Sequence, residues 1–263
     1  MPIIRSVSII LNYFSFFFIY DSIRINPNHG AFLMMKNKVE INSYNFVLEP
    51  SYKRNGSLHS WEILTRGVIK KNANDYQTNN VVFCFDSLNE EEILDVFNKQ
   101  LLTIEKLARF DLKFPLVSLN VDSLISDYIL NDKYVRDHIK GQKNIALEIN
   151  EDFHEFRSPT CMFDLKKLSE LCPVWLDDFG RGLTSLKVIE SFKFECVKID
   201  KDYFWRIQNE KKCKEIIKEI KARCGFIIVE GVETMDQKNI VFSIADSACQ
   251  GRLWKRNYHY IEC

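Results

Sequence analysis

The chain has 263 residues, 46% hydrophobic and 27% charged, with 36 Lys and Arg balanced by 36 Asp and Glu. Overall neutrality excludes the basic footprint of a protein that coats nucleic acid, leaving a local basic groove as the one route to such a polymer; no nucleic-acid polymer is expected as a partner. A phosphate-bearing ligand would need its countercharge from a few placed groups or metal ions. The length suffices for one large core, and parallel α/β barrels reach this size as one domain. The eight cysteines form no C-x-x-C pair, and their spacing matches neither a zinc ribbon nor a secreted disulfide framework. Reduced thiols, and hence the cytoplasm, are the expectation.

Ile9 to Tyr20 is strongly apolar and follows Arg5. It is short for a membrane span, and no small-x-small cleavage site follows it. A membrane partner is expected only if this segment is real and inserted. The preferred reading is that the working chain starts at Met34 or Met35, with 1–35 an extension outside it and 36–263 a single domain.

From Lys36 onward, strand-length apolar runs alternate with segments of helical period. The pattern predicts strands at Phe46–Leu48 and Ser60–Leu64, then a helix over Glu90–Phe110. Its apolar residues Ile93, Leu94, Phe97, Leu101, Ile104 and Leu107 share one face, and Asn89 stands as its N-cap. Next come a strand at Leu116–Val121, a helix at Ile125–Lys140, a strand at Ile145–Ile149 and a helix at Met162–Leu171. Strands at Val174–Leu176, Cys196–Ile199 and Phe226–Val229 follow, interleaved with helices at Leu183–Ser191, Tyr203–Asn209 and Lys211–Cys224. A helix at Met235–Phe242 and a weak strand at Ser243–Ala245 complete the series. About eight βα units in one chain of this length favour a (β/α)8 barrel over an open sheet.

Polar residues recur at the carboxyl ends of these strands: Glu62, Asn120, Glu148, Asp177 and Asp178, Lys198 and Asp200, then Glu230. In a parallel barrel those ends form one rim, where active sites are built. Any one of them could equally cap a helix or sit in a solvated loop; capping alone does not account for their recurrence. Glu62, Asn120, Glu148 and Asp177 offer oxygen and no Cys or His, which suits Mg²⁺ or Mn²⁺ rather than zinc. The adjacent Asp177 and Asp178 suggest a carboxylate shared by two ions, roughly 3.5–4 Å apart in such sites, that activate water for displacement at phosphorus. Lys198 supplies a fixed positive charge, and Glu230 a proton acceptor. A surface ion pair and a helix cap are the plain alternatives for these two.

Taken together the motifs resemble those of the EAL-domain phosphodiesterases of bacteria. Glu62-Ile63-Leu64 with Arg66 stands for E-x-L-x-R, followed by Asn120 in SLNVD, Glu148 and Glu151 in ALEINE, and Asp177 to Gly182 as DDFGRG. Lys198 to Asp200, Glu230 to Thr234 and Gln250-Gly251 complete the series, so the resemblance runs from Phe46 to Asn257. It implies an α/β fold, a modified TIM (β/α)8 barrel with one antiparallel strand, often a homodimer. It also implies hydrolysis of cyclic di-GMP to linear pGpG with two Mg²⁺ or Mn²⁺ ions, favouring motility over biofilm. By this resemblance Glu62, Asn120, Glu148 and Asp177 hold one metal, and Asp177 and Asp178, helped by Glu230, the other. Lys198 and Glu230 activate the nucleophile. Arg66 binds a substrate phosphate, with Leu64, Asp200, Gln250 and Glu49 also at the substrate. Glu151 braces the loop carrying Gly180 and Gly182, and Glu233 supports the site from behind.

Four departures from the family pattern matter. Ile63 replaces the motif's alanine and, on an extended segment, faces away from Glu62. Glu49-Pro50 replaces Gln-Pro, placing negative charge near an anionic ligand and predicting weaker binding. Arg181 and Leu183 replace Thr and Tyr in the loop after DDFG. The chain stops at Cys263, so the final barrel-covering helix is expected to be short or missing. The main expectation is therefore a cyclic di-GMP phosphodiesterase. The alternative is a catalytically weak EAL protein that acts as a cyclic di-GMP sensor or a protein-binding regulator. An unrelated metal-dependent barrel, such as an enolase-like lyase, does not account for DDFG, KID and EGVE in that order.

Overall fold

A computed structural model describes residues 43–69, 82–83, 88–111, 113–150, 153, 159–181 and 186–262. The expectations for residues 1–35, Glu151 and Gly182 lie outside them. The chain order is β1 (Ser43–Lys53), β2 (Leu58–Ile69), β3 (Val82–Phe83), α1 (Glu90–Phe110), β4 (Leu116–Asn120), α2 (Ser123–Asn131), α3 (Lys133–Gly141) and β5 (Ile145–Ile149). Then follow α4 (Pro159–Ser169), β6 (Val174–Phe179), α5 (Leu186–Ser191), β7 (Cys196–Ile199), α6 (Lys201–Ile207), α7 (Cys213–Lys221) and β8 (Phe226–Val229). The chain closes with α8 (Met235–Ile244), β9 (Ala248–Gln250), a 3₁₀ turn at Arg252–Asn257 and β10 (His259–Glu262).

β2 and β4 to β9 run parallel in chain order, and β1 closes the circle by pairing antiparallel with both β2 and β9. The barrel is the modified (β/α)8 type with one antiparallel strand. On the other flank of β1, beyond its pairing with β9, β10 adds antiparallel to Asn45–Leu48.

Side-chain alternation along each strand places the site. Ala146, Trp175, Cys196, Ile228 and Ala248 form a buried cluster inside the barrel. Each lies two residues before Glu148, Asp177, Lys198, Glu230 or Gln250, so the same inward face carries an apolar floor and then a polar rim. The intervening residues, Leu147, Leu176, Val197, Val229 and Cys249, are fully buried on the opposite face. Ile63 points with that second set and is fully buried, as its alternation with Glu62 predicts.

Local chemistry sets the helix bounds. Asn89 and Glu92 form a reciprocal capping box at the start of α1. The helix expected over Ile125–Lys140 is two helices. Asp132 leaves helical geometry and its carboxylate accepts from the N–H groups of Tyr134 and Val135, which ends α2 and starts α3. The expected strand at Ser243–Ala245 is also corrected: Ser243 and Ile244 belong to α8, and the eighth barrel strand is Ala248–Gln250. The helical period begun at Thr234, with its own capping box to Gln237, carries through Val241 and Phe242, which are buried. After β9 the described residues make the 3₁₀ turn and β10.

Candidate active site

The rim converges on Lys198. Its side chain is 1% exposed, and its Nζ lies 3.0 Å from Glu62 Oε2, 2.9 Å from Glu148 Oε2, 3.2 Å from Asp177 Oδ1 and 2.8 Å from Glu230 Oε1. Burial alone would push this ammonium down, yet the four carboxylates outweigh it and hold its pKa well above the usual lysine value. Glu62 also accepts from Gln250 Nε2 at 2.6 Å and from Asn120 Nδ2 at 3.3 Å. Burial works to raise the Glu62 carboxyl, but Lys198, Gln250 and Asn120 prevail and set it below its ordinary value.

The remaining carboxylates go the other way. Burial raises Glu148 well above the usual range, with the charges of Glu62 and Asp177 adding to it against Lys198. Asp177 is raised by burial, then by Glu62 and Asp178, again against Lys198. Glu230 is pushed up to about 8, chiefly by burial. A single ammonium does not balance this much buried negative charge.

Oxygen geometry fits a divalent cation. Glu62, Glu148 and Asp177 each offer a carboxylate oxygen within 4.8 Å of the others, and so do Asp177, Asp178 and Glu230. The two sets share Asp177. Glu148 Oε1 is buried with no hydrogen-bond partner among the described residues, and Asp177 Oδ1 has its ion-pair contact to Lys198 but no aligned hydrogen bond. Unsatisfied buried oxygens in an all-oxygen set suit Mg²⁺ or Mn²⁺.

Asp178 adopts φ +55°, the left-handed region that a β-carbon disfavours. A register shift between β6 and β7 accompanies it. Its Oδ2 is taken by Arg181 Nη1 at 3.1 Å. Gly180 follows at φ +97°, where a side chain would run into the ring of Tyr203. Gly251, after Gln250, has φ +145°, and a β-carbon there would lie 2.6 Å from the backbone of Val232.

Three of the four other expected site residues have local structural partners. Asp200 is buried and caps α6, its carboxylate accepting from Tyr203 N at 2.9 Å. Glu233 faces Arg252 Nη1 at 3.4 Å on the outer rim. Leu64 is half-buried on β2. Glu49 lies opposite Glu62 in the β1–β2 ladder, and its Oε2 is 3.7 Å from Arg66 Nη2.

Two contacts were not expected from the sequence. Arg181 occupies Asp178, and Tyr258 hydrogen-bonds Glu49. The aromatic run Tyr258-His259-Tyr260 is a strand signal that could have revealed the second.

The fold and this rim define a class: a modified (β/α)8 barrel with a carboxylate site around a buried lysine at the carboxyl ends of its strands. The EAL domain family model matches residues 40–257, and the chain belongs to that family. The anti-FlhC(2)FlhD(4) factor YdiV of Salmonella typhimurium LT2 is 27% identical over 172 residues, covering 64% of this chain and 73% of that protein. The cyclic di-GMP phosphodiesterase PdeH of Escherichia coli K12 is 22% identical over 211 residues, covering 78% of this chain and 80% of that one. Among solved structures, EAL-like domain protein YdiV aligns with TM-score 0.69 at 20% identity, over 82% of this chain and 92% of that one. The EAL enzyme Bd1971, in a form bound to cAMP and cyclic-di-GMP, aligns with TM-score 0.62 at 20% identity, over 80% of this chain and 61% of that one. No helix among the described residues is long and apolar enough to cross a membrane.

Proposed function

We propose that this chain is an EAL protein of weak catalytic power that works by binding, as a cyclic di-GMP sensor or a protein-binding regulator. The observation that carries this reading is the pair between Glu49 and Arg66. Family resemblance gives Arg66 the substrate phosphate, yet a carboxylate stands 3.7 Å from its guanidinium. A phosphate must displace that carboxylate and then sit beside it, which costs affinity. Arg181 acts similarly on Asp178, competing with a cation for one of the expected metal ligands. The likeness to YdiV supports a protein partner, and by that likeness a complex of the FlhC and FlhD kind is the first to try.

A second reading, a working phosphodiesterase, is favoured by the complete rim. In it Glu62, Asn120, Glu148 and Asp177 would hold one ion, and Asp177, Asp178 and Glu230 a second. Bound there, Mg²⁺ or Mn²⁺ would supply Lewis acidity and an acidified water. Glu230, paired with Lys198 at 2.8 Å, would be the group placed to take a proton from the attacking water. Lys198 would keep the rim assembled and offer positive charge to the phosphoryl oxygens. A homodimer belongs to either reading.

Incubating the purified chain with cyclic di-GMP and Mn²⁺, followed by chromatography, separates the two. The first reading expects bound ligand and pGpG formed more slowly than about 0.01 per second, some three decades below a typical enzyme. Rapid pGpG formation, abolished by Glu62→Ala or Glu230→Gln, would transfer the assignment to the second.

A further inference from the structure

The C-terminal segment reaches the expected ligand site. The β1–β10 ladder ends at Leu48 and His259, and Glu49 and Tyr258 are the next residues on the two segments. Tyr258 hydrogen-bonds the Glu49 carboxylate, while Arg66 approaches the same carboxylate from β2. The segment is held by contacts that do not involve Glu49. Asn257 Nδ2 donates to Tyr52 Oη at 2.8 Å, the Trp254 ring lies 5.4 Å from that of Tyr52, and His259 meets the edge of Trp61 at 5.0 Å.

Arg66 is half exposed, whereas the Glu49 side chain is only 14% exposed. An exposed guanidinium beside a carboxylate free to rotate would lose little to the pair, because such surface pairs are weak and exchange with water. A carboxylate also fixed by a hydrogen bond from Tyr258 keeps its place without further loss of side-chain entropy. We propose that Tyr258 is a positioning residue that holds Glu49 across Arg66, so that access of a phosphodiester to the guanidinium depends on the C-terminal strand. This rests on the reading that Arg66 receives a phosphate and Glu49 opposes it. It adds the element that enforces the opposition.

The test is calorimetric titration of the full chain with cyclic di-GMP in EDTA, which removes turnover from the readout. Glu49→Gln is expected to lower Kd about tenfold. Tyr258→Phe, which keeps the ring and loses only the hydroxyl, is expected to lower it about threefold. Combining the two should give the value of Glu49→Gln alone. Asn257→Ala, which loses the Tyr52 contact and loosens the segment that carries Tyr258, should lower Kd by no more than Tyr258→Phe and add nothing in the Glu49→Gln background. Should Tyr258→Phe have no effect, or act equally in the Glu49→Gln background, the positioning role is overturned while the reading of Glu49 stands. If Glu49→Gln itself leaves Kd unchanged, the reading of Glu49 and Arg66 fails, and the role of Tyr258 with it.

Discussion

Lys198 Nζ lies 2.8 Å from Glu230 Oε1, so the expected proton acceptor and the expected fixed cation are an ion pair inside the barrel mouth. The same ammonium also meets Glu62, Glu148 and Asp177. Lys198 is therefore the counterion that lets these carboxylates share one buried space.

Lys198→Met removes that counterion while keeping an apolar stem of similar length. Breaking a buried ion pair on one side costs about 3–5 kcal/mol, and the loss should appear in denaturant unfolding in EDTA. If the rim takes a divalent cation, Mn²⁺ should then restore more stability to Lys198→Met than it adds to the parent chain. An equal effect of Mn²⁺ on both would count against the rim as a metal site.

Arg181→Thr frees Asp178 Oδ2 from its 3.1 Å ion pair. An exposed arginine competing for one ligand is worth on the order of 0.5–1 kcal/mol, so Mn²⁺ affinity should rise about threefold. Titration with Mn²⁺ followed by electron paramagnetic resonance reads this directly, and unchanged affinity would show that Asp178 is not a ligand.

Much of this site was legible in the sequence because a parallel barrel converts a period of two into one inward face. Glu148, Asp177, Lys198 and Glu230 were each placed by the apolar run before them, and they meet around a single Nζ. The bounds of α1 were equally legible, since a capping box and an apolar stripe coincide there. Three features needed the tertiary structure. The start of α3 depends on Asp132 choosing to cap rather than continue a helix, a contest that periodicity does not register. The strand at Ala248–Gln250 is three residues long and too short to alternate visibly, so the apolar end of α8 drew the expectation to Ser243–Ala245. The pairing of Glu49 with Tyr258 joins residues far apart in the chain through β10, a strand not expected from the sequence.

His59 offers a pH test away from the rim. Its ring lies 4.3 Å from that of Phe226 and stacks on Trp175 at 6.2 Å, and its buried Nε2 has no hydrogen-bond partner among the described residues. Burial, and secondarily Lys53, lowers its pKa to about 4. The folded state then binds fewer protons than the unfolded state between pH 4 and the ordinary value of 6.5, so stability falls as pH drops through that window. Allowing for solvent screening of a partly exposed ring, the loss from pH 7.5 to 5 is on the order of 1 kcal/mol. His59→Phe should remove that share of the acid sensitivity, and denaturation midpoints at the two pH values would show it.

Gly251→Ala tests how Gln250 is held. A β-carbon at φ +145° would lie 2.6 Å from both the N and the O of Val232, and rigid backbone cannot yield as a side-chain tip can. The cost should be about 1–3 kcal/mol, read as a lower thermal midpoint. Cyclic di-GMP binding should weaken as Gln250 leaves Glu62.

In the proposed function, Glu49 and Arg181 hold turnover down at an otherwise complete rim. The measurement to make is the rate of pGpG formation at subsaturating cyclic di-GMP and Mn²⁺, where affinity enters the rate, for the parent chain and for Glu49→Gln combined with Arg181→Thr. A slow parent and a combined variant at least about tenfold faster are expected, a change of roughly 1.4 kcal/mol in effective barrier. A parent chain that already cleaves several molecules per second, with the combined variant no faster, would contradict it.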